Sequence, residues 1–337
     1  MTISTPLLQI RELSVTYKTR LGDTSAVDKV SFDIQRGEIL GLVGESGCGK
    51  STLGKALLRM IMPPGRISNG QILFNGDDIM TFDEKRLQDY RGRQASMIFQ
   101  DPMTSLNPVQ TVEQHLVEAI QVHEEHTKPE GTTERIRAMI ERLGIKQDRL
   151  NSFPHQLSGG MRQRVMIALG LVLNAGLIVA DEATTSLDVI VEAKLVDQLR
   201  EVRDTYGVSI LAITHNIALV AEMADRVAVM YAGNLVELGD VMKIFDQPLH
   251  PYTKGLLASV PTTDIRAQKE LYKMPGEPPN LSRPPSGCRF HPRCPVAMPI
   301  CSRIRPELKE VAPGRWVHCW LYQDHPEKEE KTIKVAA

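Results

Sequence analysis

The sequence predicts an α/β fold in which a parallel β-sheet is covered by helices. Three short apolar segments, at 38–43, 177–180 and 209–213, are typical of buried parallel strands. A helix is predicted between the last two segments, near 189–206, and a further helix is predicted near 216–223. Strands that alternate with helices in this way form parallel sheets. A chain of 337 residues is long enough for one large domain with an appendage.

Composition favours a globular protein without a membrane-spanning segment. Apolar residues make up 42% of the chain and charged residues 24%, which is ordinary for a packed domain. The formal net charge of −1 gives no overall attraction to nucleic acid, so no nucleic-acid partner is expected. No run of eighteen apolar residues occurs, and the N-terminus has no basic segment followed by an apolar one. We therefore expect neither a spanning helix nor a secretory signal.

Further elements are predicted at the start, the middle and the end of the chain. Apolar and polar residues roughly alternate over 10–17, and the apolar segment 71–74 ends at an Asn-Gly turn, so both are predicted strands. Between about 110 and 165 the apolar spacing becomes helical, which predicts a helical insert. Eight prolines lie between Pro275 and Pro299. Because proline lacks an N–H donor and fixes φ, this segment is predicted to be irregular.

A glycine-rich loop carries the clearest chemical signal. Residues 44–51 match the pattern G-x-x-x-x-G-K-[ST], and the loop follows a predicted strand and precedes a helix with apolar periodicity. A chance glycine-rich turn does not explain that context. The main chain of such a loop binds phosphates, Lys50 is predicted to reach the β- and γ-phosphates, and the Ser51 hydroxyl is predicted to bind Mg²⁺. The predicted nucleotide-binding residues are Gly44, Glu45, Ser46, Gly47, Cys48, Gly49, Lys50, Ser51 and Thr52.

Two adjacent acids follow the apolar segment 177–180. Asp181, at the end of the predicted strand, is expected to belong to the Mg²⁺ shell. Glu182 is expected to orient or deprotonate the attacking water. Two acids at the end of a strand also serve simply to cap a turn, but the phosphate loop upstream favours the catalytic interpretation.

A second anion-binding helix start is predicted at Ser158, Gly159 and Gly160. Alone, this stretch is also an ordinary helix cap. Two phosphate-binding features beside one complete Mg²⁺ site suggest that they serve two different nucleotides.

The order of these motifs resembles the ATP-binding-cassette (ABC) ATPase family over roughly 8–245. The resemblance implies a P-loop NTPase fold with a RecA-like core, a β arm and a helical subdomain at approximately 101–165. The cassette is then expected at 1–245, followed by an irregular, Cys- and Pro-rich module at 246–325 and a mobile tail at 326–337. Met161 and Ala183 depart from the commoner family residues, glutamine and proline, but neither change removes a group that touches phosphate.

The resemblance also implies roles for single residues. Tyr17 is similar to the aromatic residue that stacks on adenine, and Gln100 to the glutamine that senses Mg²⁺ and water. The 158–160 segment is similar to the signature that closes on the partner's γ-phosphate, and Asp188 to a residue of the dimer interface. His215 is similar to the switch histidine, so Glu182, His215 and Gln100 form the implied catalytic set. The alternatives are structural. Tyr17 would only pack, Gln100 would be an ordinary polar loop residue, and Asp188 and His215 would cap helices.

Two segments, 99–108 and 248–253, and the C-terminal cysteines resemble the peptide-importer branch of this family. The resemblance implies import of oligopeptides or dipeptides; nickel or oligosaccharide import is the alternative within the branch. It also implies a second, different ATPase subunit, two membrane-spanning permease subunits, an extracytoplasmic binding protein, and a peripheral location on the cytoplasmic face of the membrane. A soluble ABC ATPase that acts on DNA or ribosomes is the alternative from another class. One cassette, no sustained heptads and the near-zero charge argue against it.

Four late cysteines form a candidate metal site. Cys288, Cys294, Cys301 and Cys319 are spaced C-x₅-C-x₆-C-x₁₇-C, unlike the paired C-x₂-C of a zinc ribbon. Four irregularly spaced thiolates suit a [4Fe–4S] cluster, which is our prediction. A Zn²⁺ site that uses His291 or His318, and free thiols, are the alternatives. Cys48, inside the phosphate loop, is interpreted as a small filler.

Overall fold

The computed structural model describes residues 5–20, 22–99, 105–124, 129–182, 189–259 and 274–325. In these ranges the strands are β1 (Leu8–Thr19), β2 (Gly22–Ile34), β3 (Ile39–Val43), β4 (Gly65–Phe74), β5 (Asp77–Asp78), β6 (Ala95–Ile98), β7 (Leu177–Asp181), β8 (Ser209–Ile213), β9 (Arg226–Tyr231), β10 (Asn234–Asp240), β11 (Lys309–Ala312) and β12 (Arg315–Val317). The α-helices are α1 (Lys50–Leu57), α2 (Glu84–Asp89), α3 (Val112–His123), α4 (Pro129–Arg142), α5 (Gly159–Leu171), α6 (Val189–Tyr206), α7 (Ile217–Met223), α8 (Val241–Asp246), α9 (Pro251–Ala258) and α10 (Pro299–Arg303).

The larger of the two sheets in the described ranges has the strand order β11-β12-β10-β9-β3-β8-β7-β6. The five strands from β9 to β6 are parallel, whereas β10, β12 and β11 add antiparallel pairs at one side. Strands β3, β7 and β8 are buried along their whole length. Parallel strands that are covered on both faces need apolar side chains at every position, which is why these segments lack alternation. The predicted parallel α/β sheet is confirmed.

Side chains of β3 separate two hydrophobic cores. Leu40 and Leu42 belong to one cluster of buried residues, and Ile39 and Val43 belong to the other. This division follows from the strand geometry, in which successive side chains point to opposite faces. The sheet is therefore anchored from both sides immediately before the phosphate loop.

A second, antiparallel sheet has the order β2-β1-β4-β5. The predicted strands at 10–17 and 71–74 lie in β1 and β4, whereas β2 was not predicted. The register of β1 against both neighbours shifts near Leu13, which bends the strand. Helix α1 contacts both β1 and β2, so this sheet lies beside the phosphate loop.

Helices α3, α4 and α5 pack together between β6 and β7 in the chain. Helix α3 begins with a capping box in which Thr111 and Gln114 satisfy each other's main-chain N–H groups. Among the helices in the described part of the chain, none combines the length and apolarity needed to cross a membrane.

The described part of the proline-rich segment is irregular up to Pro299 apart from a short 3₁₀ turn at His291–Arg293, as predicted. After it, however, the chain forms β11 and β12, which the sequence analysis did not predict. Pro306 precedes β11, and Pro313 lies in the turn between the two strands. The segments between these prolines keep their N–H donors and can join the edge of the larger sheet at β10.

Candidate functional site

Three adjacent parallel strands end at one edge of the larger sheet, where the predicted chemical groups meet. Strand β3 leads into the phosphate loop, β7 into Asp181 and Glu182, and β8 into His215. The strand ends are tied together because the Glu182 N–H donates to the Ile213 carbonyl at 2.8 Å. The Thr214 N–H donates to the Leu42 carbonyl at 3.2 Å. Ligand sites of open α/β sheets lie at this carboxyl edge.

Close main-chain contacts fix two glycines of the phosphate loop. A Cβ atom at Gly44 would lie 2.1 Å from the Met230 carbonyl oxygen, and one at Gly49 would lie 2.1 Å from the Ala26 carbonyl oxygen. Gly49 also has φ of 106° and is the N-cap of α1. The glycines therefore let the loop fit between neighbouring main chains, and its N–H groups and the start of α1 form an anion-binding site.

Lys50 folds back across the loop. Its buried ammonium donates to the carbonyl oxygens of Gly44 at 2.8 Å and Glu45 at 3.1 Å. This places the charge inside the ring that the loop forms. A bound phosphate would compete with the two carbonyl oxygens for the N–H donors of Lys50. Cys48 is buried beside it, with Sγ 3.9 Å from Nζ, and burial raises the pKa of this thiol. A neutral, small side chain at position 48 fits its interpretation as a filler.

Ser51 and Asp181 form the candidate Mg²⁺ pair. The Ser51 hydroxyl donates to Oδ1 of Asp181 at 2.8 Å. Burial raises the pKa of Asp181, and the hydrogen bond from Ser51 partly opposes this shift. Both groups offer the hard oxygen ligands that Mg²⁺ prefers, so they fit this ion. A cavity of about 640 Å³ opens beside the pair and is also bordered by Gly170 of α5.

Glu182 and His215 face each other at the edge. Nδ1 of His215 lies 3.8 Å from Oε1 of Glu182, and the two side chains are 52% and 15% exposed. Glu182 has φ of 45°, a left-handed conformation that costs energy for a residue with a Cβ. Asn216, not His215, caps α7, because its side chain accepts from the Ala218 N–H at 3.1 Å. Gln100 and Asp188 lie outside the described residues.

Tyr17 lies on the antiparallel sheet, half-buried against Gly65. It pairs with Thr24 of β2, two residues from Ala26, which contacts Gly49. The sheet register therefore places this aromatic ring in the neighbourhood of the phosphate loop, and adenine stacking stays a prediction.

The Ser158–Gly160 segment lies at the far end of α5 from the phosphate loop. The Ser158 hydroxyl accepts from the Met161 N–H at 3.3 Å and caps the helix. Gly170 of the same helix borders the cavity at Ser51 and Asp181. Met166 and Leu169 border the same cavity, so the later part of α5 faces it, whereas the capped start lies about 10 Å along the helix from Met166. The structure does not bring these three residues to the loop of their own chain.

The sequence analysis missed two residues that hold the loop from outside. Arg293 donates from Nη1 and Nη2 to the Glu45 carboxylate at 2.9 and 3.0 Å. The Glu45 N–H donates to the Tyr252 hydroxyl at 2.9 Å. Burial alone would lower the pKa of Arg293, but its hydrogen bonds to Glu45 and Tyr231 raise that pKa above the ordinary value. The only sequence signal was their location, since both lie in segments that resemble the peptide-importer branch.

The four late cysteines line one small cavity, together with Phe290 and Trp320. The volume of this cavity is only about 20 Å³, and its walls are almost wholly apolar. All four are free thiols; burial raises the pKa of Cys288 to about 11 and that of Cys319 to about 12. The structure thus gathers the four predicted ligands.

This cavity is not a preformed site for a single metal ion. Among the described residues, no group of three or more His, Cys, Asp or Glu side chains is arranged to hold one ion. The two histidines of the Zn²⁺ alternative have other bonds: Nδ1 of His291 donates to the Cys288 carbonyl at 2.9 Å, and Nε2 of His318 lies 3.4 Å from Nε of Arg305. A mixed Cys and His zinc site therefore has no support in the described geometry.

Comparison with protein families gives two matches. A model described as "ABC transporter" matches residues 27–185. A second model, described as the C-terminal region of oligopeptide/dipeptide transporters, matches residues 236–301. The first match contains the phosphate loop, Asp181 and Glu182, and the second contains Cys288, Cys294 and Cys301; His215 lies between the two.

Similar proteins align over nearly the whole chain. The oligopeptide transport ATP-binding protein OppD of Bacillus subtilis is 44% identical, over 99% of this chain and 94% of that protein. The dipeptide transport ATP-binding protein DppD of the same organism is 42% identical, over 95% and 96%. OppD of Escherichia coli is 45% identical, over 93% of each chain.

Solved structures show the same fold. The cassette MJ0796, in a dimeric post-hydrolysis state bound to ADP and Pi, has a TM-score of 0.63 at 23% identity, over 69% of this chain and 98% of that chain. The cbiO1 subunit of an ABC transporter complex from Clostridium perfringens has a TM-score of 0.63 at 27% identity, over 72% and 91%.

Proposed function

Because this chain belongs to the family of ATP-binding subunits of ABC transporters, we propose that its ATPase activity drives the import of oligopeptides or dipeptides. The proposal depends on the family matches to both the cassette, at 27–185, and the C-terminal region, at 236–301. A cassette alone is common to many transporters, whereas the C-terminal region matched at 236–301 is described for oligopeptide/dipeptide transporters. Nickel and oligosaccharide import remain outcomes of the test.

The residues at the sheet edge have separate tasks in ATP hydrolysis. Lys50 and the N–H groups of the phosphate loop bind the phosphates, as their geometry inside the loop favours. Ser51 and Asp181 would hold Mg²⁺, which neutralises phosphate charge when bound. Glu182 orients or deprotonates the attacking water, and His215, 3.8 Å away, holds the γ-phosphate in line with it.

A second ATPase subunit completes the site. The start of α5 lies about 10 Å along the helix from Met166, the nearest residue of α5 that borders this chain's own cavity, so its donors are available to another subunit. In this arrangement Ser158, Gly159 and Gly160 close on the phosphate of the partner's nucleotide. We assign the partner to a different ATPase chain, beneath two permease subunits at the cytoplasmic face of the membrane, with an extracytoplasmic binding protein that delivers the substrate.

Transport in sealed vesicles tests the proposal. The chain is reconstituted with the ATPase, permease and binding-protein subunits that neighbouring genes encode, and ATP is supplied on the side of the ATPase subunits. A labelled dipeptide and a labelled pentapeptide should accumulate, and Glu182→Gln in this chain should stop the accumulation. Uptake of nickel or an oligosaccharide instead of peptide would contradict the substrate class. Failure to purify with any membrane subunit would contradict the transporter role.

We also propose that the cysteine cavity holds a [4Fe–4S] cluster with a structural role. Four thiols that line one apolar cavity supply the ligand set of such a cluster. The lack of a close three-ligand group among the described side chains disfavours one small ion. A cluster would instead be held by all four cysteines, because it would bring its own iron and sulfide. Thiolate coordination would order a segment whose prolines limit main-chain hydrogen bonding.

Metal analysis of anaerobically purified protein tests this second proposal. We expect about four irons per chain and a brown colour. Cys294→Ser should lose both, whereas the matched Cys48→Ser, a substitution outside the cavity, should keep them. Colourless protein with stoichiometric zinc would contradict the assignment of iron and keep a metal site at the four cysteines. Protein without metal would refute the metal site.

A further inference from the structure

An acidic side chain lies in a loop that binds anions. Glu45 is the second residue of the phosphate loop, and its carbonyl oxygen accepts a hydrogen bond from the Lys50 ammonium at 3.1 Å. A carboxylate at this position opposes the binding of phosphates, because like charges repel most strongly where water is partly excluded. The ATP-hydrolysing chain therefore needs a group that balances this charge.

Arg293 supplies the opposite charge from 248 positions away in the sequence. Its guanidinium forms a two-pronged pair with the Glu45 carboxylate, the strongest geometry for such a pair. The side chain is almost fully buried, whereas that of Glu45 is one-quarter exposed. Bonds to the Pro275 carbonyl at 2.9 Å and the Tyr231 hydroxyl at 3.2 Å fix its orientation.

The pair links the phosphate loop to the cysteine cavity. Arg293 directly precedes Cys294, one of the four residues that line the cavity. Tyr252, which accepts the Glu45 N–H, lies on α9 at the same contact, and its ring packs against Phe290 with the centroids 5.5 Å apart. Both the side chain and the main chain of Glu45 are thus held by residues from outside the cassette core.

We propose that Arg293 is a positioning residue for ATP: it neutralises Glu45 and holds that carboxylate away from the phosphates. The inference rests on the ATPase activity described above and adds a residue from the C-terminal segment to it. Arg293 acts through Glu45 and does not touch the nucleotide.

The two single substitutions should change ATP affinity in opposite directions. Arg293→Met leaves the Glu45 charge unbalanced, so ATP should bind about tenfold more weakly. Glu45→Gln leaves the guanidinium unbalanced beside the loop, so ATP should bind about threefold more tightly. The double variant removes both charges and should return to within about twofold of the parental affinity. A purely structural role of the pair predicts that both single variants weaken ATP binding and that the double variant is about as weak as either, because each substitution breaks the same contact.

Calorimetric titration of the full chain with ATP, and then with ADP, measures these effects. The loss in Arg293→Met should be larger for ATP than for the less charged ADP and should shrink as salt rises. Arg305→Met is the matched control, since Arg305 pairs with Asp28 at 2.7 Å and joins the same C-terminal segment to the β2 strand without contacting the loop. This control should keep the parental affinity.

Two outcomes would overturn the inference. One is a double variant as weak as Arg293→Met, and the other is Glu45→Gln that binds ATP no more tightly than the parent. The second result decides the matter even if Arg293→Met does not fold, because Glu45→Gln leaves the C-terminal segment unchanged. Failure of the parental chain to bind ATP would instead refute the nucleotide function, and failure of peptide uptake would refute only the substrate class.

Discussion

The phosphate loop and the cysteine cavity are built in opposite ways. The loop takes its donors from consecutive residues, and much of its chemistry comes from main-chain N–H groups that glycines bring close to neighbouring strands. The cavity gathers side chains from His250 and Pro251 and from between Cys288 and Leu321, where the main chain forms only short regular elements. The first site depends on local conformation, whereas the second depends on long-range packing.

This difference determines which substitutions each region tolerates. In the loop, Gly44 and Gly49 leave no room for a Cβ, so changes there disturb the main chain itself. In the cavity, each cysteine contributes one side chain to an apolar wall, so a single substitution there changes the packing around it and not the main chain of the loop. The two regions meet at Glu45, where the Arg293 pair allows one to influence the other.

Glu182→Gln gives the largest expected effect and tests the site at the sheet edge. Turnover of ATP should fall at least about 100-fold, because the variant lacks the base or water-orienting carboxylate. ATP binding should be unchanged, and the ATP-bound dimer should accumulate. Steady-state hydrolysis and size-exclusion chromatography with ATP measure both. Glu201→Gln, an exposed change on α6, is the control; parental hydrolysis by Glu182→Gln would refute the assignment.

Lys50→Ala tests whether the loop binds phosphate through its charge. Removing the ammonium that lies within 3.1 Å of two loop carbonyls should weaken ATP binding about 30-fold, because the phosphates lose a buried cation. Calorimetry measures the affinity. Lys254→Ala, an exposed change on α9, should bind as the parent does. Equal ATP affinity in the two variants would contradict the phosphate-loop assignment.

Tyr17→Ala tests the contribution of the antiparallel sheet to the same site. If the ring stacks on adenine, the affinity for ATP should fall about fivefold, near the lower limit for base–aromatic stacking. Tyr17→Phe keeps the ring and should keep the affinity. Because Tyr17 also packs against Gly65, the melting temperature of each variant is needed. A shift in melting temperature without a loss of affinity would assign Tyr17 to packing alone.

Cys294→Ser should have the smallest effect on ATP. The substitution should make 274–325 more sensitive to proteases, while ATP affinity falls less than in Tyr17→Ala, since Arg293 keeps its bonds to Pro275 and Tyr231. Limited proteolysis with mass spectrometry and calorimetry compare the two effects in one preparation. A complete loss of ATP binding would show that the cavity supports the whole cassette and would remove the distinction between the regions.

Much of the nucleotide site was predictable from the sequence because its signals are local. The phosphate loop, Asp181-Glu182 and the apolar strands before them are contiguous patterns, and the structure places all three at one sheet edge. Ser51 and Asp181, each predicted separately as a Mg²⁺ ligand, lie within hydrogen-bond distance of each other because β3 and β7 end at the same edge. Spacing alone also identified the four cysteines, although it did not show that they share a cavity.

By itself, the sequence determined the strands that lead into the nucleotide motifs and the chemistry of each motif, since main-chain conformation and apolar periodicity are set by neighbours in the chain. Only the tertiary structure decided which distant groups meet. It joined Arg293 to Glu45, brought β11 and β12 to the edge at β10, and directed the start of α5 away from the cavity that its other end borders. Such contacts form because packing brings together surfaces far apart in the chain, and no local pattern records which arginine will balance which carboxylate.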